Sequence, residues 1–198
     1  MASKTMLIGL GGRYGAGKDV VANYCHFQFG FEVIGFSDIL NKMMMTLNPI
    51  VPDYYEGGPQ IDSYLSYADI VNRDGYVEAK TNPEIRRLLQ VFGTEVGRGM
   101  IHKDIWTDLT AQAILAKTDN GISVALTGVR YENEIEMVRR LGGEPIWVTR
   151  PGFGDTGAHL SENSVCEEDF DHTLPNDGTI GELENKVGDL LMELTDDQ

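Results

Sequence analysis

The sequence has few cysteines, no long apolar stretch and few basic residues for its length. Two cysteines, Cys25 and Cys166, cannot form a disulfide framework for 198 residues, and so low a count is typical of a reducing compartment. The apolar run Met6–Leu10 is too short for the core of a signal peptide and is followed by glycines. These absences argue against a disulfide-stabilised secreted scaffold and predict a cytoplasmic protein without a membrane segment.

The charge balance is strongly acidic, with 16 lysines and arginines against 31 aspartates and glutamates and a net charge of -15. Such a field repels the backbone of a nucleic acid, and the sequence has no basic tail to offset it. We therefore expect no binding to a nucleic-acid polymer, whereas individual arginines are available for small anions. The oligomeric state is left open, a homodimer included.

Short apolar segments alternate with segments of helical periodicity, which predicts an α/β fold with buried parallel strands. The predicted strands are Thr5–Leu10, Glu32–Phe36, Ile122–Thr127, Pro145–Thr149 and Asp171–Leu174. Apolar residues recur at helical spacing in 85–96, 135–141 and 180–194. Residues 48–82 have no clear period and are predicted to be an irregular or partly helical insertion.

The strongest chemical signal is the segment Gly12–Asp19, which reads Gly-Arg-Tyr-Gly-Ala-Gly-Lys-Asp. It matches the phosphate-loop pattern of glycine, four residues, glycine and lysine, but Asp19 stands where that pattern has serine or threonine. The glycines let backbone N–H groups curl around phosphate oxygens, and the helix that follows directs its positive end at them. We therefore predict a site for the phosphates of ATP in which Lys18 neutralises the transferred group.

The carboxylate at position 19 changes the expected metal site. A hydroxyl there would bind Mg²⁺ directly, whereas Asp19 offers a charged oxygen to the ion or to one of its waters. An acid in the first turn of a helix is also favourable through the helix dipole, so a purely structural role is the alternative. Asp19 is the predicted metal ligand, with Mg²⁺ as the cofactor.

A second cluster contains Arg87, Gln90 and Thr94, whose spacings of three and four place them on one face of a helix. An arginine can hold a phosphate and an amide can hold the edge of a base, whereas a merely solvated face more often carries Glu–Lys pairs. This face is predicted to bind a phosphorylated acceptor.

A third cluster lies where two predicted strands end. Arg130 and Arg150 each follow a strand, and ligands of open parallel sheets bind beyond the carboxyl ends of the strands. Both arginines are therefore predicted to reach the crevice of the phosphate loop and to stabilise a transferring phosphoryl group. An ion pair between Arg130 and Glu134 is the alternative interpretation.

Five motifs occur together and in order along the chain. They are the Gly-Lys-Asp end of the phosphate loop, Arg86–Glu95, Val129-Arg130-Tyr131 with Asn133-Glu134, Arg150-Pro151-Gly152 and Asn176-Asp177-Gly178. In these motifs the sequence resembles the deoxynucleoside monophosphate kinases of bacteriophages. The resemblance extends from Leu7 to the last predicted helix and is weakest between Asn41 and Gly75.

The resemblance implies a P-loop kinase fold in which a five-stranded parallel sheet is flanked by helices. The core would comprise residues 1–40, 99–150 and 170–198, with an acceptor-binding region at about 41–98 and a mobile lid at about 151–169. A protein encoded by a phage would act in the cytoplasm of the host.

The motifs and the family resemblance together assign roles to individual residues. The residues expected to bind ATP are Gly12, Arg13, Tyr14, Gly15, Ala16, Gly17, Lys18, Asp19, Val20, Asn176 and Asp177, of which Asn176 and Asp177 would face the adenine. The residues expected to bind the acceptor nucleotide are Asp38, Arg87, Gln90, Thr94, Arg130 and Glu134. The catalytic cations would be Lys18, Arg13, Arg130 and Arg150.

The sequence departs from the family in two places. The strand before Arg130 ends in Thr127-Gly128, where relatives often carry an aspartate that helps to organise magnesium, which leaves Asp19 and Asp38 as substitutes. The predicted lid lacks arginines and offers His159 instead, so the charge of the transferring group would be balanced from outside the lid.

The predicted reaction is in-line transfer of the γ-phosphate of ATP to a deoxynucleoside monophosphate. The acceptor phosphate is already ionised near neutral pH, so no catalytic base is required. Two alternatives are kept: a kinase of another small phosphorylated metabolite, such as phosphomevalonate or dephospho-coenzyme A, and a nucleotide-binding switch with slow hydrolysis. The sequence leaves the accepted bases open.

Overall fold

The computed structural model describes residues 5–54, 61–152 and 164–196. The strands are β1 (Leu7–Gly11), β2 (Glu32–Gly35), β3 (Ile50–Tyr54), β4 (Ile61–Ser66), β5 (Val124–Val129), β6 (Glu144–Thr149) and β7 (His172–Pro175). The α-helices are α1 (Lys18–Phe29), α2 (Phe36–Leu47), α3 (Tyr67–Asp74), α4 (Tyr76–Ala79), α5 (Pro83–Gln90), α6 (Ile105–Thr118), α7 (Glu132–Arg140) and α8 (Ile180–Asp196). A π-helix, Val91–Ile101, follows α5 directly, and a 3₁₀ turn, Glu167–Asp169, precedes β7.

The contacts between these elements divide the chain into two compact units. The first comprises Met1–Phe36 with Thr107–Gln198, and the second is Ser37–Trp106. The second unit is therefore inserted between two halves of the first. It contains the region that was predicted to bind the acceptor, and that function stays a prediction.

The first unit is built on a five-stranded sheet in the order β2-β5-β1-β6-β7, in which all neighbouring strands are parallel. The central strand β1 is buried along its whole length, as expected for a strand that is covered on both faces. The α/β class and the five-stranded parallel sheet are thereby confirmed. The predicted strands are present with shifted ends, and β5, predicted as Ile122–Thr127, extends to Val129.

Helices cover both faces of this sheet, so that the first unit has three layers. Side chains alternate between the two faces, as in β6, where Ile146 and Val148 join one apolar cluster and Trp147 joins the other. Helices α1 and α8 complete the first cluster with Val21, Cys25, Leu183 and Val187. Helices α6 and α7 complete the second cluster with Ile114, Ile135 and Val138. Helix α6 was not predicted, because its apolar residues are spread around the helix.

The second unit has its own apolar core and contains a hairpin that was not predicted. Strands β3 and β4 pair antiparallel, so the description of 48–82 as irregular or partly helical is wrong for these strands. The cause is Asp53, which interrupts the apolar period of β3 and yet is buried. The guanidinium of Arg73 donates to both carboxylate oxygens of Asp53 at 2.7 and 3.0 Å, and this pairing lowers the pKa of Asp53. The core residues are Met44, Val51, Tyr67, Ile70, Ala79, Ile85 and Leu89.

Candidate active site

The phosphate loop connects the central strand β1 to α1. Gly12 has a φ of +135°, and a Cβ there would collide with the backbone carbonyl oxygen of Val148. Gly17, the residue before α1, has a φ of +105°. Glycine alone adopts such angles readily. The backbone nitrogen of Ala16 donates to the carbonyl oxygen of Arg13 at 3.2 Å and closes a turn within the loop.

The cations of the loop are held by the loop itself and by the sheet. The ammonium of Lys18 donates to the carbonyl oxygens of Gly12 and Arg13 at 2.7 and 2.8 Å. The guanidinium of Arg13 lies 5.9 Å from the centre of the Trp147 ring, a cation–π distance. Asp19 lies in the first turn of α1 with an exposed side chain. Lys18 and Arg13 thus remain next to the place where phosphates bind in such loops.

A pocket opens between the phosphate loop and the ends of the neighbouring strands. Its lining residues are Gly12, Tyr14, Lys18, Val129, Arg130, Trp147 and Val165. The pocket therefore brings Lys18 and Arg130 together, as the positions of their strands in the sequence predicted. The other residues predicted to bind ATP through the loop, Gly15, Ala16 and Val20, lie in the same loop or in the first turn of α1.

Arg130 is positioned by a buried carboxylate in the next helix. Glu134 is 2% exposed, and its Oε2 accepts hydrogen bonds from the backbone N–H groups of Arg130 at 2.7 Å and Tyr131 at 3.2 Å. Glu134 thus closes the capping box at the start of α7 and fixes the backbone of Arg130. The alternative interpretation placed the contact of Glu134 on the guanidinium of Arg130, whereas these two hydrogen bonds are with backbone N–H groups. Contact of Glu134 with an acceptor stays a prediction.

Two further predicted residues contact the loop from the ends of β6 and β7. The guanidinium of Arg150 donates to the carbonyl oxygen of Gly15 at 3.3 Å. The side-chain amide of Asn176 donates to the carbonyl oxygen of Ala16 at 2.8 Å. Both side chains therefore touch the backbone of the phosphate loop, a role that the sequence did not indicate.

Asp177 is engaged by a lysine of the last helix. The ammonium of Lys186 donates to its carboxylate at 2.5 Å and also to the carbonyl oxygen of Pro175 at 3.0 Å. The hydrogen bond from Lys186 lowers the pKa of Asp177, whose side chain is largely exposed. Contact of Asn176 and Asp177 with the adenine stays a prediction.

The residues predicted to bind the acceptor through the second unit lie on three of its helices. Asp38 is in the first turn of α2, and Arg87 and Gln90 are exposed on α5. The α-helix ends at Gln90, and Thr94 lies in the π-helix, which has more residues in each turn. Thr94 is exposed, but the α-helical spacing that grouped it with Arg87 and Gln90 does not apply within a π-helix.

Arg87 already has a partner within its helix. Its guanidinium donates two hydrogen bonds to the carboxylate of Glu84 at 2.7 and 2.8 Å, which raises the pKa of Arg87 and lowers that of Glu84. The prediction had assumed that this face of α5 carries no solvent-exposed ion pair. The pair is exposed and three residues apart, so it is a weak interaction that a phosphate could replace.

The remaining expectations from the sequence concern the metal, the lid and membranes. Among the described residues, no group of three histidine, cysteine, aspartate or glutamate side chains could hold a metal ion. Most of the predicted lid, residues 153–163 with His159, lies outside the described residues. Within the ranges that the structure covers, no helix has the length and apolar character needed to cross a bilayer.

Comparison with known proteins identifies the family. The family model "Deoxynucleotide monophosphate kinase" matches residues 32–187, a match that does not depend on the phosphate loop. The protein named deoxynucleotide monophosphate kinase of Escherichia phage RB69 is 30% identical over 181 residues, which are 81% of this chain and 74% of the phage protein. A protein of Acanthamoeba polyphaga mimivirus is 28% identical over 92% of this chain and 94% of its own length.

A solved structure supports the fold. Dephospho-CoA kinase from Campylobacter jejuni is similar with a TM-score of 0.50 and 13% identity, covering 96% of this chain and 97% of that one. At so low an identity the likeness concerns the fold alone. Together with the match to the family model over most of the chain, these findings establish that the chain belongs to the deoxynucleotide monophosphate kinase family.

Proposed function

We propose that the protein is an ATP-dependent kinase that transfers the γ-phosphate of ATP to a deoxynucleoside monophosphate. The observation that carries the proposal is the pocket in which Lys18 of the phosphate loop and Arg130 lie together, in a chain of this family. One cation follows the central strand and the other follows its neighbour β5. Such an arrangement suits a reaction in which catalysis is mainly positioning and charge stabilisation.

The donor site is proposed to be the phosphate loop. Lys18 now donates to two neutral carbonyl oxygens, and the charged oxygens of a triphosphate are stronger acceptors. We therefore expect ATP to draw the ammonium from Gly12 and Arg13 to its phosphates. Residues 12–20 would hold the triphosphate, and Asp177 would lie near the adenine, as the resemblance implies.

Transfer is proposed to be a single in-line displacement. An oxygen of the acceptor phosphate forms a bond to the γ-phosphorus while the bond from that phosphorus to the bridging oxygen breaks, and ADP leaves with the electron pair. Lys18, Arg13, Arg130 and Arg150 would balance the negative charge that spreads over the equatorial oxygens. The acceptor oxygen is already ionised, so no base takes part.

Magnesium is proposed as the cofactor. Mg²⁺ in nucleotide sites is usually held by one or two carboxylates together with substrate phosphates and water. The exposed carboxylate of Asp19 in the first turn of α1 fits this requirement as the protein ligand. When bound, the ion would neutralise charge on the donor phosphates.

The acceptor is proposed to bind through the second unit. Asp38, Arg87, Gln90 and Thr94 all belong to this unit. Arg130 and Glu134, which are also predicted to bind the acceptor, belong to the first unit. An acceptor phosphate would replace Glu84 as the partner of Arg87, at little cost because surface ion pairs are worth about 0–1 kcal/mol.

The setting of the reaction is also a proposal. The net charge of -15 and the phage relative support an enzyme that acts on free nucleotides in the cytoplasm of a host cell, without binding nucleic acid or membranes. A homodimer is compatible with this function and is part of the same proposal.

The test is the formation of ADP from Mg-ATP in the presence of each deoxynucleoside monophosphate and each ribose counterpart, with Lys18→Ala as the inactive variant. Lys103→Ala is the matched control, because this lysine is 84% exposed and lies outside the pocket. We expect transfer to deoxynucleotides that Lys103→Ala retains and Lys18→Ala lowers at least about 100-fold.

Two other acceptors and a reaction without acceptor distinguish the alternative functions. Faster transfer to phosphomevalonate or dephospho-coenzyme A than to any nucleotide would replace the proposal with a metabolite kinase. ADP formation that no acceptor accelerates would indicate a nucleotide-binding switch instead.

A further inference from the structure

We infer that Asn176 is a positioning residue that fixes one peptide of the phosphate loop, and that its amide serves the phosphates of the nucleotide rather than the base. The inference rests on the proposed function, because it concerns the donor site of the same kinase. It differs from the role in adenine binding that the resemblance implies for this residue.

The side chain of Asn176 lies against both residues of a single peptide. Its Nδ2 is 2.8 Å from the carbonyl oxygen of Ala16. A Cβ built on the next residue, Gly17, would lie 2.5 Å from the same Nδ2, so a larger residue there would displace the Asn176 side chain. Because a carbonyl oxygen can only accept, the atom that faces it must be the NH₂ group. The amide is thus committed to the Ala16–Gly17 peptide.

Holding the carbonyl of this peptide also orients its N–H group. In a planar trans peptide the C=O and N–H bonds point in opposite directions. A hydrogen bond that holds the Ala16 oxygen towards Asn176 therefore turns the Gly17 N–H away from Asn176, to the side on which a phosphate loop presents its amides. The backbone of Gly17 does not enforce this orientation, because glycine adopts positive and negative φ about equally well.

Asn176 is itself held on several sides. Its backbone nitrogen donates to the carbonyl oxygen of Thr149, at the end of β6, at 2.7 Å. On either side of it, Lys186 binds the carbonyl oxygen of Pro175 and the carboxylate of Asp177. The side chain therefore projects from a short segment that β6, β7 and α8 fix. The segment that follows β7 is thus held in place where Asn176 contacts the phosphate loop.

The two roles predict different losses of binding. If Asn176 orients a loop amide, its removal weakens the binding of any polyphosphate, with or without a base. If it contacts adenine, its removal weakens ATP relative to GTP and leaves inorganic tripolyphosphate unaffected. Tripolyphosphate therefore separates the two roles, since it has the phosphates of ATP but no base.

The experiment measures the dissociation constants of ATP, GTP and tripolyphosphate by calorimetry, in the presence of Mg²⁺, for the full chain and its variants. Asn176→Ala should lower the affinity for ATP and tripolyphosphate by the same factor, about tenfold, which is the effect of one hydrogen bond. Asn176→Asp should lower both further, because a carboxylate repels the Ala16 oxygen and the phosphates. Thr173→Ala is the matched control, a small exposed residue on β7.

A fall in the ratio of ATP to GTP affinity with unchanged tripolyphosphate binding would overturn the inference and establish Asn176 as an adenine ligand. Thermal melting of each variant identifies any loss that is due to unfolding. Should both variants unfold, NMR of the wild type decides. The Asn176 side-chain amide and the Gly17 amide should both shift on addition of tripolyphosphate, and a response of Asn176 to adenosine alone contradicts the inference. These readings need no turnover, so a protein that binds tripolyphosphate but transfers no phosphate would refute only the proposed function.

Discussion

The buried carboxylate of Glu134 lies 2.7 Å from the backbone nitrogen of Arg130. The same oxygen accepts a second hydrogen bond from the backbone nitrogen of Tyr131 at 3.2 Å. One side chain thereby begins helix α7 and fixes the loop that presents the Arg130 guanidinium to the pocket.

Replacing Glu134 should therefore affect both stability and catalysis. Glu134→Ala leaves the two N–H groups without their acceptor, so we expect the free energy of unfolding to fall by about 2 kcal/mol and kcat to fall with it. Glu134→Gln keeps one acceptor oxygen and should cost less. Denaturant unfolding and steady-state kinetics measure the two effects. Glu136→Ala, an exposed glutamate of the same helix, should change neither, and equal losses in the two alanine variants would contradict the assigned role.

Arg130 should matter for transfer and little for folding. Its side chain is exposed and lines the pocket, so Arg130→Ala is expected to lower kcat about 100-fold while the melting temperature stays unchanged. Arg130→Lys keeps the charge but loses the planar fork, and should recover part of the rate. Arg140→Ala, an exposed arginine at the end of α7, serves as the control. Wild-type kcat in Arg130→Ala would remove Arg130 from the mechanism.

Gly12 should tolerate no side chain. Its φ of +135° strains any other residue, and a Cβ would meet the backbone carbonyl of Val148, which cannot move aside without breaking the sheet. Gly12→Ala should therefore lose ATP binding, measured by calorimetry, and melt earlier. Gly181→Ala, in α8 with open space around it, should be neutral or slightly stabilising. A normal ATP affinity in Gly12→Ala would show that the loop is not the donor site.

Asp19 can be tested against the residue that the phosphate-loop motif usually has. Asp19→Ala should raise the Mg²⁺ concentration needed for half-maximal transfer, whereas Asp19→Ser supplies the usual hydroxyl ligand and should restore it in part. Chelation of Mg²⁺ with EDTA should abolish transfer in every variant. Identical Mg²⁺ dependence in wild type and Asp19→Ala would leave Asp19 with the helix-dipole role alone.

The ion pair between Asp53 and Arg73 should make the stability of the second unit depend on pH. Hydrogen bonds from Arg73 lower the pKa of Asp53 in the folded state, so the pair stabilises the fold above the ordinary aspartate pKa, about 4. The stabilisation is lost as the pH falls through the lowered pKa. Wild type should therefore exceed Asp53→Asn in the free energy of unfolding at pH 7, and the difference should shrink towards pH 3.

The control for this pH profile is Asp62→Asn, an exposed aspartate on β4 of the same hairpin. That variant should show no comparable change between pH 7 and pH 3. A difference for Asp53→Asn that is constant over this range would mean that the carboxylate charge is not the source of the stabilisation.

Local patterns predicted the sheet of the first unit well because strands such as β1, β5 and β6 are short, mainly apolar runs, although helix α6 was not predicted. The buried run before Gly12 and the motif that follows it predict both β1 and the phosphate loop, and a strand end before Arg130 predicts its place in the pocket. The second unit was harder to predict. Strand β3 depends on the distant Arg73 to neutralise Asp53, and no local pattern contains that information.

The supporting contacts of the site were missed for a related reason. The sequence predicted Glu134 as a ligand of the acceptor or as the ion-pair partner of Arg130, whereas its two hydrogen bonds in the structure are with backbone N–H groups. Asn176 contacts a residue 160 positions earlier in the chain. The switch from α-helix to π-helix after Gln90 could not be predicted from the period of apolar residues, because that period was read with the α-helical spacing throughout.

The central strand also limits how this sequence can change over time. A Cβ on Gly9 would meet the Val138 side chain at 2.8 Å, and one on Gly11 would overlap the ring of Phe170. Each glycine is therefore permitted a larger replacement only in a background where its partner has become smaller. We expect strong epistasis within the pairs Gly9–Val138 and Gly11–Phe170, so that either change alone is deleterious and the two together are tolerated. The route by which relatives diverge at this strand would then pass first through α7 or the segment before β7.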